Sequence, residues 1–176
     1  MNVDWRSDRV RAALSGANPT VLRRLSAGFA VIGDAQHLPG YCVLITDDPS
    51  ADRLTDLPRD RRLAFLADMD LLGAAVTRVC ARRDPAFRRI NYEILGNLDA
   101  FLHVHVRPRY DWEPAELRHG PVHLYPDEVW RDPAYALGSR HDELRAQLTA
   151  ELDRLAGPAP DRHTACVRDD PDPQGD

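Results

Sequence analysis

Between Phe101 and Arg109 the side chains alternate so regularly that an extended strand is the one element that sorts them. Leu102, Val104 and Val106 fall on one side, and Phe101, His103, His105 and Arg107 on the other, because a strand repeats every two residues. The aliphatic side needs cover. The opposite side carries two imidazoles about 6.5–7 Å apart along the strand, with a guanidinium two positions on.

The cover is legible too. From Asp60 to Arg83, Phe65, Leu66, Met69, Leu72, Val76, Val79 and Cys80 recur at three- and four-residue steps, the stripe of a long amphipathic helix. Met69 and Cys80 read as core packing, a routine role for both residue types. Asp84-Pro85 ends the helix. Further strands are expected at Phe29–Ile32, closed by Gly33-Asp34, at Tyr41–Thr46 after Pro39-Gly40, and at Arg88–Leu95 before the Gly96-Asn97 turn. Val3 to Leu14 carries a modest helical signal. Asn18-Pro19-Thr20 reads as the start of another short helix, with Val21, Leu22 and Leu25 as its stripe. Trp112 to Arg140 has no sustained period and reads as an ordered loop region. His141 to Leu155 reads as a helix with Leu144, Leu148, Leu152 and Leu155 on one face. Residues 157–176 hold four Pro, two Gly and five Asp, and are expected to form a disordered tail after one domain spanning 1–156.

Composition narrows the function classes. The 176 residues include 23 basic and 28 acidic side chains, a net charge of −5, and every basic residue is arginine. A general nucleic-acid binder should be basic, so that class is excluded; a small phosphorylated ligand held by a few local arginines is not. No apolar run reaches the length of a membrane span. The start, Met1 to Arg6, lacks a basic-then-apolar secretory pattern. Cys42, Cys80 and Cys166 are odd in number and lack metal-type spacing, which points to a reducing cytoplasm.

Three readings of the polar strand face stand side by side. It is a solvated face that contains two histidines. It is a metal site, with His119 and His123 or Glu93 completing the shell. Or it is a centre for nucleophilic attack on phosphorus, one imidazole attacking while its neighbours stabilise charge. Neutral imidazole suits the last role, since its reference pKa of about 6.5 leaves a free lone pair near neutrality. His37, in the loop before Pro39, reads as a solvated loop residue. Trp112 and Trp130 are open between covering the site and meeting a partner subunit.

Gly96-Asn97 followed by His103-Val104-His105-Val106-Arg107-Pro108-Arg109 resembles the signature of the histidine-triad (HIT) family of nucleotide hydrolases and transferases. Phe29 to Asp34, then Pro39-Gly40 and Tyr41 to Ile45, resembles that family's first hairpin, and coverage runs from about residue 20 to 110. The resemblance implies an α+β fold, with an antiparallel sheet of about five strands, a long packed helix and a C-terminal helix. It implies His103 as nucleophile and His105 as its partner. Asp34 falls where relatives hold the ribose hydroxyls, a turn-forming Asp being the other reading. Asn97 and Asn91 fall near the phosphates. Arg107 offsets phosphate charge or forms a plain surface salt bridge; Arg109 also offsets phosphate charge or anchors a loop. The chain departs from the family at Phe101, where the first histidine belongs, at Tyr41, where some members place a fourth, and at Leu98, where others carry Ser or Thr. The expected substrate is a dinucleoside polyphosphate, such as a diadenosine polyphosphate, or a nucleoside phosphoramidate. No cofactor and no metal are implied, and the family resemblance implies a homodimer. Loss of the first histidine leaves open a nucleotide-binding module with little turnover.

Overall fold

The computed structural model describes residues 4–157. A 3-10 turn, Trp5–Asp8, leads into α1 (Arg9–Leu14). Then come β1 (Val21–Arg24), β2 (Gly28–Ile32), β3 (Cys42–Thr46), α2 (Arg59–Arg83), β4 (Phe87–Glu93) and β5 (His103–Tyr110). Short helices α3 (Ala115–Arg118) and α4 (Asp127–Arg131) precede α5 (Asp142–Ala156). The architecture is α+β: one five-stranded antiparallel sheet in the order β1-β2-β3-β5-β4. Of the tail expected over residues 157–176, all but Gly157, with Cys166 in it, lies outside the described residues, as does Val3.

The two-faced pattern of the 101–109 run decides the layering. Val104 and Val106 are fully buried, together with Leu44, Ala30, Ile32 and Cys42 of the neighbouring strands. Against that face lie Phe65, Leu72, Val76, Val79 and Cys80 of α2 and Leu144, Leu148 and Leu152 of α5. Each such side chain contributes about 1.5–3 kcal/mol on burial, so this layer carries most of the cohesion. On the opposite face Phe29, Val31 and Ile45 form a smaller cluster with Ala13 of α1, flanked by Val21, Val43 and Phe101. The imidazoles of β5 lie on this second face, since Val43 pairs with His105 and Ile45 with His103.

Two expectations need correction. Val21 to Leu25 is not a helical stripe: Val21–Arg24 is an edge strand paired with β2, Val21 opposite Val31 and Arg24 opposite Phe29. Asn18 does not cap a helix there. Its Oδ1 accepts from the Thr20 backbone N–H at 3.0 Å and hydroxyl at 2.6 Å, an Asx turn that swings the chain into the sheet. The 112–140 region is also more structured than its sequence suggests. It winds through α3, α4 and three-residue 3-10 turns, each too short to show a period.

Gly40 turns the chain into β3 with φ +95°, a conformation that disfavours any side chain, and a Cβ there would meet Cys80 Sγ. At Gly33 the backbone conformation is ordinary, but a Cβ would overlap the Tyr41 ring at 2.2 Å. Together they bring Tyr41 flat against the end of β2, beside the imidazoles.

Candidate active site

A cavity of about 200 Å³ opens on the second face of the sheet. His103 and His105 of β5 and Val31, Val43 and Ile45 of the adjoining strands line it, and Asp34, Tyr41, Phe101 and Trp130 close its sides. The strand register makes the two imidazoles neighbours, with ring centroids 4.8 Å apart and edge to face. His103 and Arg107 are only 6% and 5% exposed, so this is no solvated strand face.

The hydrogen bonds fix which ring nitrogen carries each proton. His103 Nδ1 lies 2.8 Å from the Phe101 carbonyl oxygen. A carbonyl only accepts, so Nδ1 holds the proton and Nε2 keeps its lone pair. His105 Nδ1 lies 2.7 Å from the Tyr41 hydroxyl. Burial pushes the phenol up to about 12, so the O–H is intact near neutrality. That proton has no other acceptor among the described residues, so Tyr41 donates and His105 carries its proton on Nε2. Burial, then the charge of Arg107 and the proximity of His103, pull His105 down to about 3 and keep it neutral. The pair therefore offers one lone pair and one N–H donor.

Phe101 occupies the polar position it was expected to leave wanting. Its ring packs on His103 at 4.8 Å while its backbone carbonyl orients the same imidazole. The carbonyl survives any change of side chain, which is why the orientation of His103 does not depend on a histidine at 101.

The remaining sequence candidates separate. Asp34 lines the cavity and accepts from Arg9 Nη2 at 2.5 Å. Arg107 does not line it. Its Nε donates to Glu93 Oε2 at 2.8 Å, and its guanidinium lies over Tyr41 at 4.5 Å and Trp130 at 5.1 Å. The ion pair it forms is buried, not a surface one, and Arg107 braces the walls. Asn91 faces a separate cleft of about 690 Å³ with Arg89, His119 and His123. Asn97 lines a third cavity, of about 330 Å³, which touches the first group only through His103. Arg109 anchors a loop: Nε bonds both Glu113 oxygens at 3.0 Å, and the Nη atoms donate to the Gly120 and Leu117 carbonyls.

The metal alternative loses its ligands. His119 and His123 lie in the cleft away from His103, Glu93 is held by Arg107, and the described residues contain no cluster of three potential metal ligands. His37 is not solvated. It is 7% exposed, packed edge-on against Trp130 at 4.4 Å and tilted against Tyr125 at 5.0 Å. Apolar Leu38 and Pro39 beside it pull the loop inward, a signal that a lone polar residue in a turn conceals. Trp130 covers the site, whereas Trp112 stacks on Tyr110 and bonds Asp84 elsewhere. Sequence reasoning missed Arg9 as a neighbour of the site, and nothing in the local pattern marks it. It offered Glu93 only as a metal ligand, whereas Glu93 holds Arg107.

No family model and no curated protein matches the chain. Solved structures do. A histidine triad protein from Marinobacter aquaeolei VT8 superimposes with a TM-score of 0.63 at 20% identity, covering 77% of this chain and 90% of that one. A histidine triad (HIT) protein from Sinorhizobium meliloti 1021 gives 0.62 at 18% identity, covering 88% and 96%. A hypothetical histidine triad nucleotide-binding protein from Sulfolobus tokodaii strain7 gives 0.58 at 12% identity, covering 83% and 91%. At such identities the likeness is one of fold, and the antiparallel sheet with its packed helices is what these chains share.

Proposed function

We propose that this protein is a histidine-triad nucleotide hydrolase or nucleotidyl transferase. It would cleave a dinucleoside polyphosphate or a nucleoside phosphoramidate at the α-phosphate, through a nucleotidyl intermediate on His103. The observation that carries the reading is the Nδ1 bond of His103 to the Phe101 carbonyl, which leaves a lone pair on Nε2 in a lined cavity. That lone pair attacks phosphorus: the N–P bond forms, and the bond from phosphorus to the leaving group breaks with its electron pair leaving on that group. Water then attacks the same phosphorus. The P–N bond breaks, the water's proton passes to solvent, and the nucleoside monophosphate departs. His105 Nε2–H donates to a nonbridging oxygen as charge develops there.

Asp34 accepts from the ribose hydroxyls. Asn97 serves the phosphate from the cavity beyond His103, while Asn91 and Arg107 act at a distance from the reacting atoms. The volume supports this division. About 200 Å³ is below the roughly 300–1,000 Å³ of sites that engulf a whole ligand. It suits a sugar and its α-phosphate, with base and leaving group projecting out. The reading includes a single domain through residue 156, a homodimer and a cytoplasmic location. The nucleotide-binding description of the Sulfolobus tokodaii neighbour is in keeping with it.

The test is covalent trapping. Brief incubation with a dinucleoside polyphosphate labelled at the α-phosphate, followed by alkaline quench and peptide mapping, is expected to place label on His103 and to lose it in His103→Ala. Label on another residue, or none from a preparation that turns substrate over, sinks the assignment. A second reading, a nucleotide-binding module with little turnover, draws on the Phe101 ring tilted against the nucleophile. AMP binding without product, with a large gain in rate in Phe101→His, favours that module.

A further inference from the structure

The N-terminal segment, which the sequence marks only as a modest helix, reaches the cavity. Ala13 of α1 joins Phe29, Val31 and Ile45 in one cluster, and Val31 and Ile45 are also the cavity's floor. Asp8 caps α1 through the Arg11 N–H at 2.9 Å, and Asn18 Nδ2 holds the Arg9 carbonyl at 3.4 Å. The helix is thereby fixed over the sheet with Arg9 lining the cavity beside His103 and His105.

We infer that Arg9 is the cation that holds the phosphate charge of the ligand at this site, one of the two roles that the sequence left open for Arg107. The inference rests on the nucleotide reading above. Arg9 is the only arginine or lysine among the described residues that line the cavity, whereas Asp34 and Asp99 both line it as carboxylates. Without Arg9 the ionised side chains facing an incoming phosphate would all be negative. Arg107 is not free to compensate, being bonded to Glu93 and buried between Tyr41 and Trp130.

Arg9 has donors to spare. A guanidinium carries five N–H groups, and among the described residues the side chain of Arg9 makes one hydrogen bond, from Nη2 to Asp34. Arg6 Nε also stands 4.0 Å from the same Asp34 oxygen, so two cations share one carboxylate. Asp34 remains neutralised while Arg9 turns its unused N–H groups to a phosphate. Phosphate and ribose are then read side by side, the anion by Arg9 and the hydroxyls by Asp34. The Trp5 ring supports both guanidinium groups, 4.2 Å from Arg6 and 5.0 Å from Arg9.

The experiment compares AMP with adenosine by calorimetry on the full chain, in the wild type and in Arg9→Gln and Arg9→Lys. The wild type is expected to bind AMP more tightly than adenosine. Arg9→Gln should weaken AMP by about tenfold or more, the size of a lost charge-assisted hydrogen bond, and leave adenosine unchanged. Arg9→Lys should recover part of the difference. Unchanged AMP affinity in Arg9→Gln, or equal weakening of both ligands, overturns the inference. So does a wild type that binds AMP no better than adenosine, and that result leaves the nucleotide reading standing. A wild type that binds neither compound removes both.

Discussion

His103 and His105 have the same side chain two positions apart, and their surroundings give them opposite tasks. A backbone carbonyl accepts a hydrogen bond from Nδ1–H of one, and a phenol O–H donates a hydrogen bond to Nδ1 of the other. Tyr41→Phe tests this division. It keeps the ring that Arg107 and Gly33 pack against, and it removes only the donor that holds His105 in its Nε2–H form. We expect kcat to fall by about tenfold to a hundredfold, since a transition-state donor is no longer fixed in place, with AMP affinity within about twofold. Steady-state kinetics beside calorimetry reads both, and an unchanged kcat refutes the role. At this scale the two histidines were legible from their alternation. The tautomer of His105 was not, because Tyr41 reaches it only once β3 and β5 pair, and that of His103 was not, because it depends on how its ring turns back onto the Phe101 carbonyl two residues away.

Among the elements, β5 joins both halves of the molecule. One edge of its alternation builds the core and the other the site. At its C-terminal end, Arg109 ties the following region down: the Arg109–Glu113 pair is 3% and 0% exposed at its side chains, and Glu113 also accepts from the Tyr125 hydroxyl and the Tyr110 backbone. Glu113→Ala strands a buried guanidinium and should cost about 3–5 kcal/mol in urea unfolding. A loss below about 1 kcal/mol would mean that the pair is dispensable. The long helix was legible because seven apolar positions, Phe65 to Cys80, keep one period over about four turns of chain. Val21 to Leu25 was misread because so short an apolar segment fits either period, and its hydrogen-bonding partner, β2, decides.

For the whole molecule, the buried imidazole of His37 and the half-buried one of His105 set a pH dependence. Burial, then Arg107, lowers His37 to about 4, and burial likewise lowers His105 to about 3. Between those values and about 6.5 the unfolded chain binds protons that the native chain refuses. The stability tied to the neutral rings is therefore full above pH ~6.5 and is lost as pH falls toward 4 and then 3, with a slope of up to ~1.4 kcal/mol per pH unit for each histidine. Urea unfolding at several pH values between 4.5 and 7 should show the decline. His37→Phe should flatten it by up to one proton's worth, and an identical slope in that variant would contradict the burial of His37. The alternating run and the long helical stripe were enough to mark a two-faced strand, a helix able to cover it, and His103 and His105, because period and polarity are local properties of the chain; the antiparallel α+β sheet came from the family resemblance. Tertiary structure alone brought Arg9 from α1, Tyr41 from β3's approach and Trp130 from α4 around those rings, and moved Arg107 out of the cavity. Such contacts depend on which distant segments pack together, and nothing in the spacing of neighbouring residues encodes them.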